Sequence, residues 1–184
     1  MTPFPVRKYD LIMADPPWAF RLFDEETGAA KSAQAHYSCA SLSDICDFPV
    51  ASIARPDCLL WLWATNPMLD QAFTVLDAWG FTFKTAGTWV KMTKKGGLAF
   101  GTGYRLRSAN EPFLIATRGN PETTNGVCSA IMATARQHSR KPDEAFDAAE
   151  QLMPHARRIE LFSRQKMKGW DVWGDQTHRF GEDG

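Results

Sequence analysis

Short apolar runs alternate with longer stretches of helical periodicity along this chain, and that alternation predicts the order of its elements. "YDLIMA" (residues 9–14) is apolar but too brief for a helix, so it reads as a buried strand. "CLLWLWAT" (58–65) is apolar throughout, as a strand covered on both faces must be. Residues 68–79 place apolar side chains at helical spacing and stop at Gly80. Further strands are expected over 81–91, 111–117 and 158–162, and a short helix over 41–48 ended by Pro49. A second helix spans 142–152, with Pro142 in the first turn, where its missing N–H costs nothing. Residues 127–134 suit either a strand or a helix. The polar stretches 21–38 and 93–110 read as long loops, the first a candidate lid. Strands alternating with helices predict an α/β sandwich around a mostly parallel sheet, in one domain covering residues 1–184.

Composition narrows this picture. The chain is 44% hydrophobic and 12% aromatic, enough for a core, with no apolar run of membrane-spanning length and no export signal. A soluble, cytoplasmic protein without membrane contact is therefore expected. Cys39, Cys46, Cys58 and Cys128 lie far apart with no CxxC spacing, which suits reduced thiols and argues against structural zinc or any other metal. His36, His138, His155 and His178 show neither metal-ligand nor triad spacing. Net charge is zero but unevenly spread: residues 1–77 hold five basic and ten acidic side chains. Residues 78–110 hold Lys84, Lys91, Lys94, Lys95, Arg105 and Arg107 and no acid at all. A basic island in a neutral protein is a local footprint for a polyanion.

The first strand ends on Asp15-Pro16-Pro17-Trp18. Neither proline can extend a ladder, so a carboxylate, a stiff backbone and a broad π surface meet at one point. In open parallel sheets the ligand lies beyond the carboxyl ends of the strands. Asp15, Asn66 and the segment after Phe162 are all such strand ends. An exocyclic aromatic amine suits this arrangement. Its lone pair is delocalised into the ring, and two acceptors, Asp15 and a proline-locked carbonyl, can draw the nitrogen toward a reactive geometry. A neighbouring Trp can stack on the ring, a contact worth roughly 1–3 kcal/mol per base.

With these residues in view, the sequence resembles the adenine-N6 methyltransferases of the Asp-Pro-Pro-Trp type. That family holds the catalytic subunit of the messenger-RNA adenosine methyltransferase and bacterial and phage DNA adenine methyltransferases. The likeness runs from about Tyr9 to Gln176 through "ADPPW", "HYSCASLSDI", "LLWLWATN", "WVK", "NEPFLIATRGNP", "SRKPDE", "RRIELFSR" and "GDQ". It implies a Rossmann-like class I methyltransferase sandwich with circularly permuted motif order, the catalytic strand preceding the cofactor strand. It also implies S-adenosylmethionine as methyl donor, which fits the absence of GxGxxG. Carried over by position, Asp15, Pro16, Pro17 and Trp18 would be catalytic, Trp18 by packing or stacking. Asp15, Lys141, Glu160, Phe162, Arg164, Lys166, Asp175 and Gln176 would bind the cofactor. Tyr37, Glu111 and Ser139 would lie near the substrate nucleoside, and Lys94, Lys95, Arg105 and Arg107 would follow the phosphates. Gln165 stands where the family has proline, Lys166 where it has histidine, and Asp175 where asparagine is familiar.

A chain of this size shows no zinc finger, RNA-binding module or separate target-recognition domain, which favours DNA over RNA as substrate, with low or partner-supplied sequence specificity. An RNA adenosine-N6 methyltransferase is the alternative, and a catalytically silent nucleic-acid-binding partner subunit is a second. A homo- or hetero-dimer is compatible with either. Trp61 and Trp63 are expected to pack rather than touch a ligand.

Overall fold

A computed structural model describes residues 3–19, 40–103, 105–137, 140–177 and 179. Seven strands build one sheet: β1 (Tyr9–Ala14), β2 (Ala54–Trp63), β3 (Thr82–Met92), β4 (Asn110–Arg118), β5 (Ala130–Thr134), β6 (Arg158–Leu161) and β7 (Trp170–Trp173). Helices α1 (Leu42–Cys46), α2 (Leu69–Ala78) and α3 (Asp143–Leu152) accompany it. The strand order is β5-β3-β4-β2-β1-β6-β7. The β1–β2, β1–β6, β6–β7 and β3–β5 pairs are parallel, whereas β4 runs antiparallel to both β2 and β3. Among the described residues, six strands therefore point one way and β4 points back. The expected α/β architecture with a mostly parallel sheet is what forms.

The two-residue period of the strands divides their side chains between two covered faces. Ile12, Leu60, Leu62, Leu114 and Ile159 pack with Ala72, Val75 and Leu76 of α2. Leu11, Met13, Leu59, Trp61, Trp63 and Phe113 pack with Ala145, Phe146 and Ala149 of α3 on the other face. Both faces are buried, which is why the central strands read as unbroken apolar runs. Trp61 and Trp63 are indeed packing residues, Trp61 stacking on Phe113 with ring centroids 4.0 Å apart.

Element ends follow local chemistry. Ser41 and Asp44 form a reciprocal capping box that starts α1. The helix ends before Phe48, because a residue preceding proline avoids the helical conformation. Gly80, at φ 75°, closes α2 in the left-handed region that glycine tolerates. Residues 130–134 resolve as strand, pairing in parallel with β3. Two expectations are corrected and one strand is added. Pro142 sits one residue ahead of α3 with an extended ψ of 144°, not inside its first turn. β6 stops at Leu161, since Phe162 turns to φ 61°. The segment 170–173 forms an edge strand that its brevity concealed. The expected lid at residues 21–38 lies outside the described residues.

Gly87 in β3 marks a close approach. A Cβ there would lie 2.2 Å from Phe113 Cζ and 2.6 Å from the Ser129 carbonyl oxygen. Gly87→Ala should lower stability by about 1–3 kcal/mol through overpacking. Gly101→Ala, where a Cβ meets nothing within 4 Å, should change it little. Urea unfolding midpoints of the two variants check the contrast.

Candidate active site

From β1 the chain passes to β2 on one side, while β6 pairs on the other, so the strand order reverses at β1 and β6. A crevice at the carboxyl ends of these strands is the physical consequence. Asp15 follows β1 and Phe162 follows β6. The reversal of β4 sets its first residues, Asn110 and Glu111, at the same edge. β5 also ends there and leads toward Lys141, just ahead of α3. A narrow cleft opens at this edge, lined by Asp15, Arg140, Lys141, Glu160, Phe162, Arg164 and Gln165.

The Asp-Pro-Pro-Trp turn is locked from several sides. The Trp18 N–H donates to the Pro16 carbonyl at 2.8 Å, and the Ala40 N–H to the Pro17 carbonyl at 3.0 Å. The Trp18 indole N–H donates to the Trp63 carbonyl at 3.1 Å, and the side chain is buried in the core. Of the two roles open to Trp18, packing is the one this conformation displays. The Pro16 carbonyl keeps a second lone pair after serving Trp18.

Lys141 joins two carboxylates. Its Nζ lies 2.7 Å from Asp15 Oδ2 and 2.6 Å from Glu111 Oε1. It also lies 5.3 Å from the centroid of the Trp63 ring. The second oxygen of Glu111, Oε2, is 2.9 Å from Lys91 Nζ. Asp15 Oδ1, by contrast, has no hydrogen-bond partner among the described residues, and the Asp15 side chain keeps 20% exposure.

These contacts set the charges. Burial disfavours the charged form of Lys141, but Asp15 and Glu111 outweigh it and push its pKa above the ordinary lysine value. Burial likewise raises Glu111, yet the attraction of Lys141 and Lys91 prevails and holds it down at about 2. For Asp15, burial, aided by the nearby Glu111 charge, outweighs Lys141 and raises its carboxyl above the ordinary range.

Glu160 is a different kind of acid. Its Oε2 is 2.5 Å from Ser163 Oγ, which also lies 2.6 Å from the Gln165 carbonyl and accepts the Gln165 N–H at 3.3 Å. The Ser163 hydroxyl donates to Glu160 Oε2. Burial outweighs that hydrogen bond and raises the Glu160 pKa to about 8, so the carboxyl holds its proton well above the ordinary range. Phe162, at the mouth, holds a left-handed backbone that a bulky residue adopts only under constraint. Edge contacts of its ring with Phe48 (4.9 Å) and Trp173 (5.5 Å) supply that constraint. Gly174 permits the close return of β7, since a Cβ would stand 2.8 Å from Ser163 N and O.

The cleft thus gathers Asp15, Lys141, Glu160, Phe162 and Arg164 from the sequence-derived set. Glu111 is adjacent, but both its oxygens are held by lysines rather than open to a nucleoside. Gln176 Oε1 accepts from Arg164 Nη2 at 2.7 Å and so braces the cleft from behind. Lys166 and Asp175 are exposed and do not line it. Asn66 is not in the crevice either: it bonds Asn110 at 3.1 Å, on the flank of Glu111. Lys94, Lys95, Arg105 and Arg107 are exposed on the β3–β4 loop, which rises from the same edge without lining the cleft. Tyr37 and Ser139 lie outside the described residues. Sequence reasoning missed Arg140 and Gln165, joined by an Arg140 Nε to Gln165 Oε1 bond of 3.1 Å, and missed Lys91 as part of the ion chain. The departure of Gln165 from the family proline was the available signal. No cluster of metal-ligating side chains occurs among the described residues.

The seven-stranded, mostly parallel sheet is consistent with a Rossmann-like methyltransferase fold. The MT-A70 family pattern matches residues 9–176, and the chain belongs to this family of N6-adenine methyltransferases. It is 32% identical over 188 residues to the type II methyltransferase M.MunI of a Mycoplasma species, across 92% of this chain and 78% of that protein. It is 30% identical over 183 residues to the N6-methyladenosine RNA methyltransferase MTA1 of Cryphonectria parasitica, across 94% of this chain and 52% of that protein. With the human N(6)-adenosine-methyltransferase catalytic subunit METTL3 it shares 29% identity over 175 residues, spanning 92% of this chain but 28% of METTL3.

The neutral state of Glu160 has a measurable sign. Its folded pKa of about 8 exceeds the ordinary 4.5, so the native state holds a proton that the unfolded chain has released between those values. Stability therefore falls as pH rises through that window and levels off above it. Glu160→Gln, whose amide oxygen can still accept from Ser163 but which does not titrate, removes this decline. Urea midpoints at pH 5 and pH 8.5 should show the variant gaining on the wild type at the higher pH. Parallel behaviour would contradict a buried neutral acid.

Proposed function

We propose that this chain transfers a methyl group from S-adenosylmethionine to the N6 amine of adenine in DNA, with low or partner-supplied sequence specificity. The observation that carries the reading is the state of Asp15. One of its oxygens is clamped by Lys141, and the other is free at the edge of the cleft.

The side chains around the cleft fit the cofactor chemically. Lys141 and Asp15 offer a cation and an anion to the carboxylate and ammonium of its methionine part. Glu160, at the end of a strand, offers a hydrogen-bonding acid for ribose hydroxyls. Arg164 lines the same cleft, held by Gln176. When bound, S-adenosylmethionine would supply an electrophilic methyl on a positively charged sulfur, and the proton that the methylated amine sheds would pass to water.

The protein's contribution is placement. Asp15 Oδ1 and the Pro16 carbonyl accept the two N–H bonds of the amine and turn its lone pair toward the donor. Lys141 fixes the Asp15 carboxylate, so the acceptor needs no reorganisation as charge develops. Trp18, buried beneath the turn, keeps both acceptors in register. For duplex DNA the adenine must leave the stack, at a cost of about a few kcal/mol. The exposed loop with Lys94, Lys95, Arg105 and Arg107 would follow the backbone. There Arg107 lies 4.3 Å from the centroid of the Phe100 ring.

The preference for DNA rests on the M.MunI match, which covers 78% of that type II enzyme, whereas matches to the RNA methyltransferases cover 52% of MTA1 and 28% of METTL3. Methyl transfer from labelled S-adenosylmethionine onto separate DNA and RNA oligonucleotide pools tests the reading. Transfer should be greater onto DNA, at N6 of adenine, and Asp15→Ala should lower kcat by about 10²–10³-fold or more. Equal or greater transfer to RNA would reverse the substrate choice, and wild-type turnover in Asp15→Ala would remove the assigned role. Because the Asp15 pKa is raised, the acid limb of the pH–rate profile should fall above the ordinary carboxylate range.

A further inference from the structure

We propose that Lys91 is a positioning residue for the reaction proposed above, acting through Glu111 to fix where Lys141 holds Asp15. The inference rests on that functional reading.

Lys91 belongs to the basic island, and its place there suggests a phosphate contact. Its side chain does something else. Trp89 pairs with Glu111 across the β3–β4 ladder, so Lys91, two residues further on, reaches the Glu111 carboxylate from the same face. Each oxygen of Glu111 is then used by a different lysine: Oε2 by Lys91 at 2.9 Å and Oε1 by Lys141 at 2.6 Å. Lys141 in turn holds Asp15 Oδ2 at 2.7 Å. The result is an alternating row, Lys91–Glu111–Lys141–Asp15, with no net charge. It links the root of the basic loop to the acceptor in the cleft.

Removing the first cation unbalances the row. Glu111 would be left with one lysine, which already serves Asp15. Lys141 would be drawn toward Glu111, and the row, Asp15 included, would carry one uncompensated negative charge. The other titratable and charged groups near Asp15 are the neutral acid Glu160 on β6 and Arg164 and Arg140 beside it in the cleft; the ion pairs of Glu111 are with Lys91 and Lys141. An added negative charge near a carboxylate favours its protonated form. Lys91 thus influences Asp15 without touching substrate or cofactor. Its side chain is 31% exposed, so its replacement does not open the core.

The test is steady-state and single-turnover methyl transfer by Lys91→Met and Lys91→Arg, using S-adenosylmethionine and an adenine-containing DNA pool, as a function of pH and salt. Lys91→Met should lower kcat about tenfold, the size of one lost supporting contact to a charged group. It should move the acid limb of the profile upward and leave KM for DNA within about twofold of wild type. Lys91→Arg should recover most of the rate, because it restores the cation. A raised KM for DNA with a shallower salt dependence and unchanged kcat would make Lys91 a phosphate contact and overturn the inference. Wild-type behaviour of Lys91→Met in every parameter would overturn it equally. Failure of the unaltered chain to methylate any DNA or RNA pool would instead remove the functional reading, and this inference with it.

Discussion

A single buried ammonium shared by two carboxylates organises the working edge of this protein. Lys141 is nearly inaccessible, and a charge so placed is costly unless opposite charges surround it. Asp15 and Glu111 do so from strands that are distant in sequence and run in opposite directions. Each depends on the lysine as much as it depends on them. Breaking a buried pair from one side typically costs about 3–5 kcal/mol, because the survivor is stranded. The edge is therefore held in one geometry, with Asp15 Oδ2 occupied and Oδ1 left over. A weak nucleophile such as an aromatic amine gains from that rigidity.

The fold makes this arrangement possible through one irregularity. Were β4 parallel to its neighbours, Glu111 would lie at the far end of the sheet. Because β4 runs backward, its first residues arrive where β1, β2, β3 and β6 finish. The period-two alternation then puts Glu111, Trp63 and Glu160 on the face that α3 covers, where Lys141 enters. The neighbouring Glu160, raised by burial to about 8, stands in a different protonation state from Glu111, which its lysines hold down at about 2. Two acids with separated titrations can hold different parts of a ligand.

Much of the frame was legible along the chain. The apolar runs at 9–14 and 58–65 read as buried strands, and α2 carried its stop signal in Gly80. The Asp-Pro-Pro-Trp turn was legible as a stiff carboxylate-bearing end to β1, because neither proline can extend a ladder. What stayed hidden depends on partners far away in sequence. Glu111 pairs with lysines 20 residues before it and 30 after it, and no local pattern encodes that. The four-residue β7 is too short to show a period, and Phe162 takes a backbone conformation that only its aromatic neighbours enforce. Pro142 misled by a single residue, since its fixed φ serves the position before a helix as well as the first turn. The basic island read as uniform, yet Lys91 faces inward to Glu111 while Lys94, Lys95, Arg105 and Arg107 face solvent.

The free oxygen of Asp15 is the point at which this chemistry is most open to direct observation. A crystal structure of the chain with a non-reactive analogue of S-adenosylmethionine and an adenine-containing oligonucleotide would locate the N6 amine. An Oδ1–N6 separation of about 3 Å, with Lys141 still on Oδ2, is the expected result. An amine seated away from Asp15, or a carboxylate whose two oxygens both turn to Lys141, would contradict it.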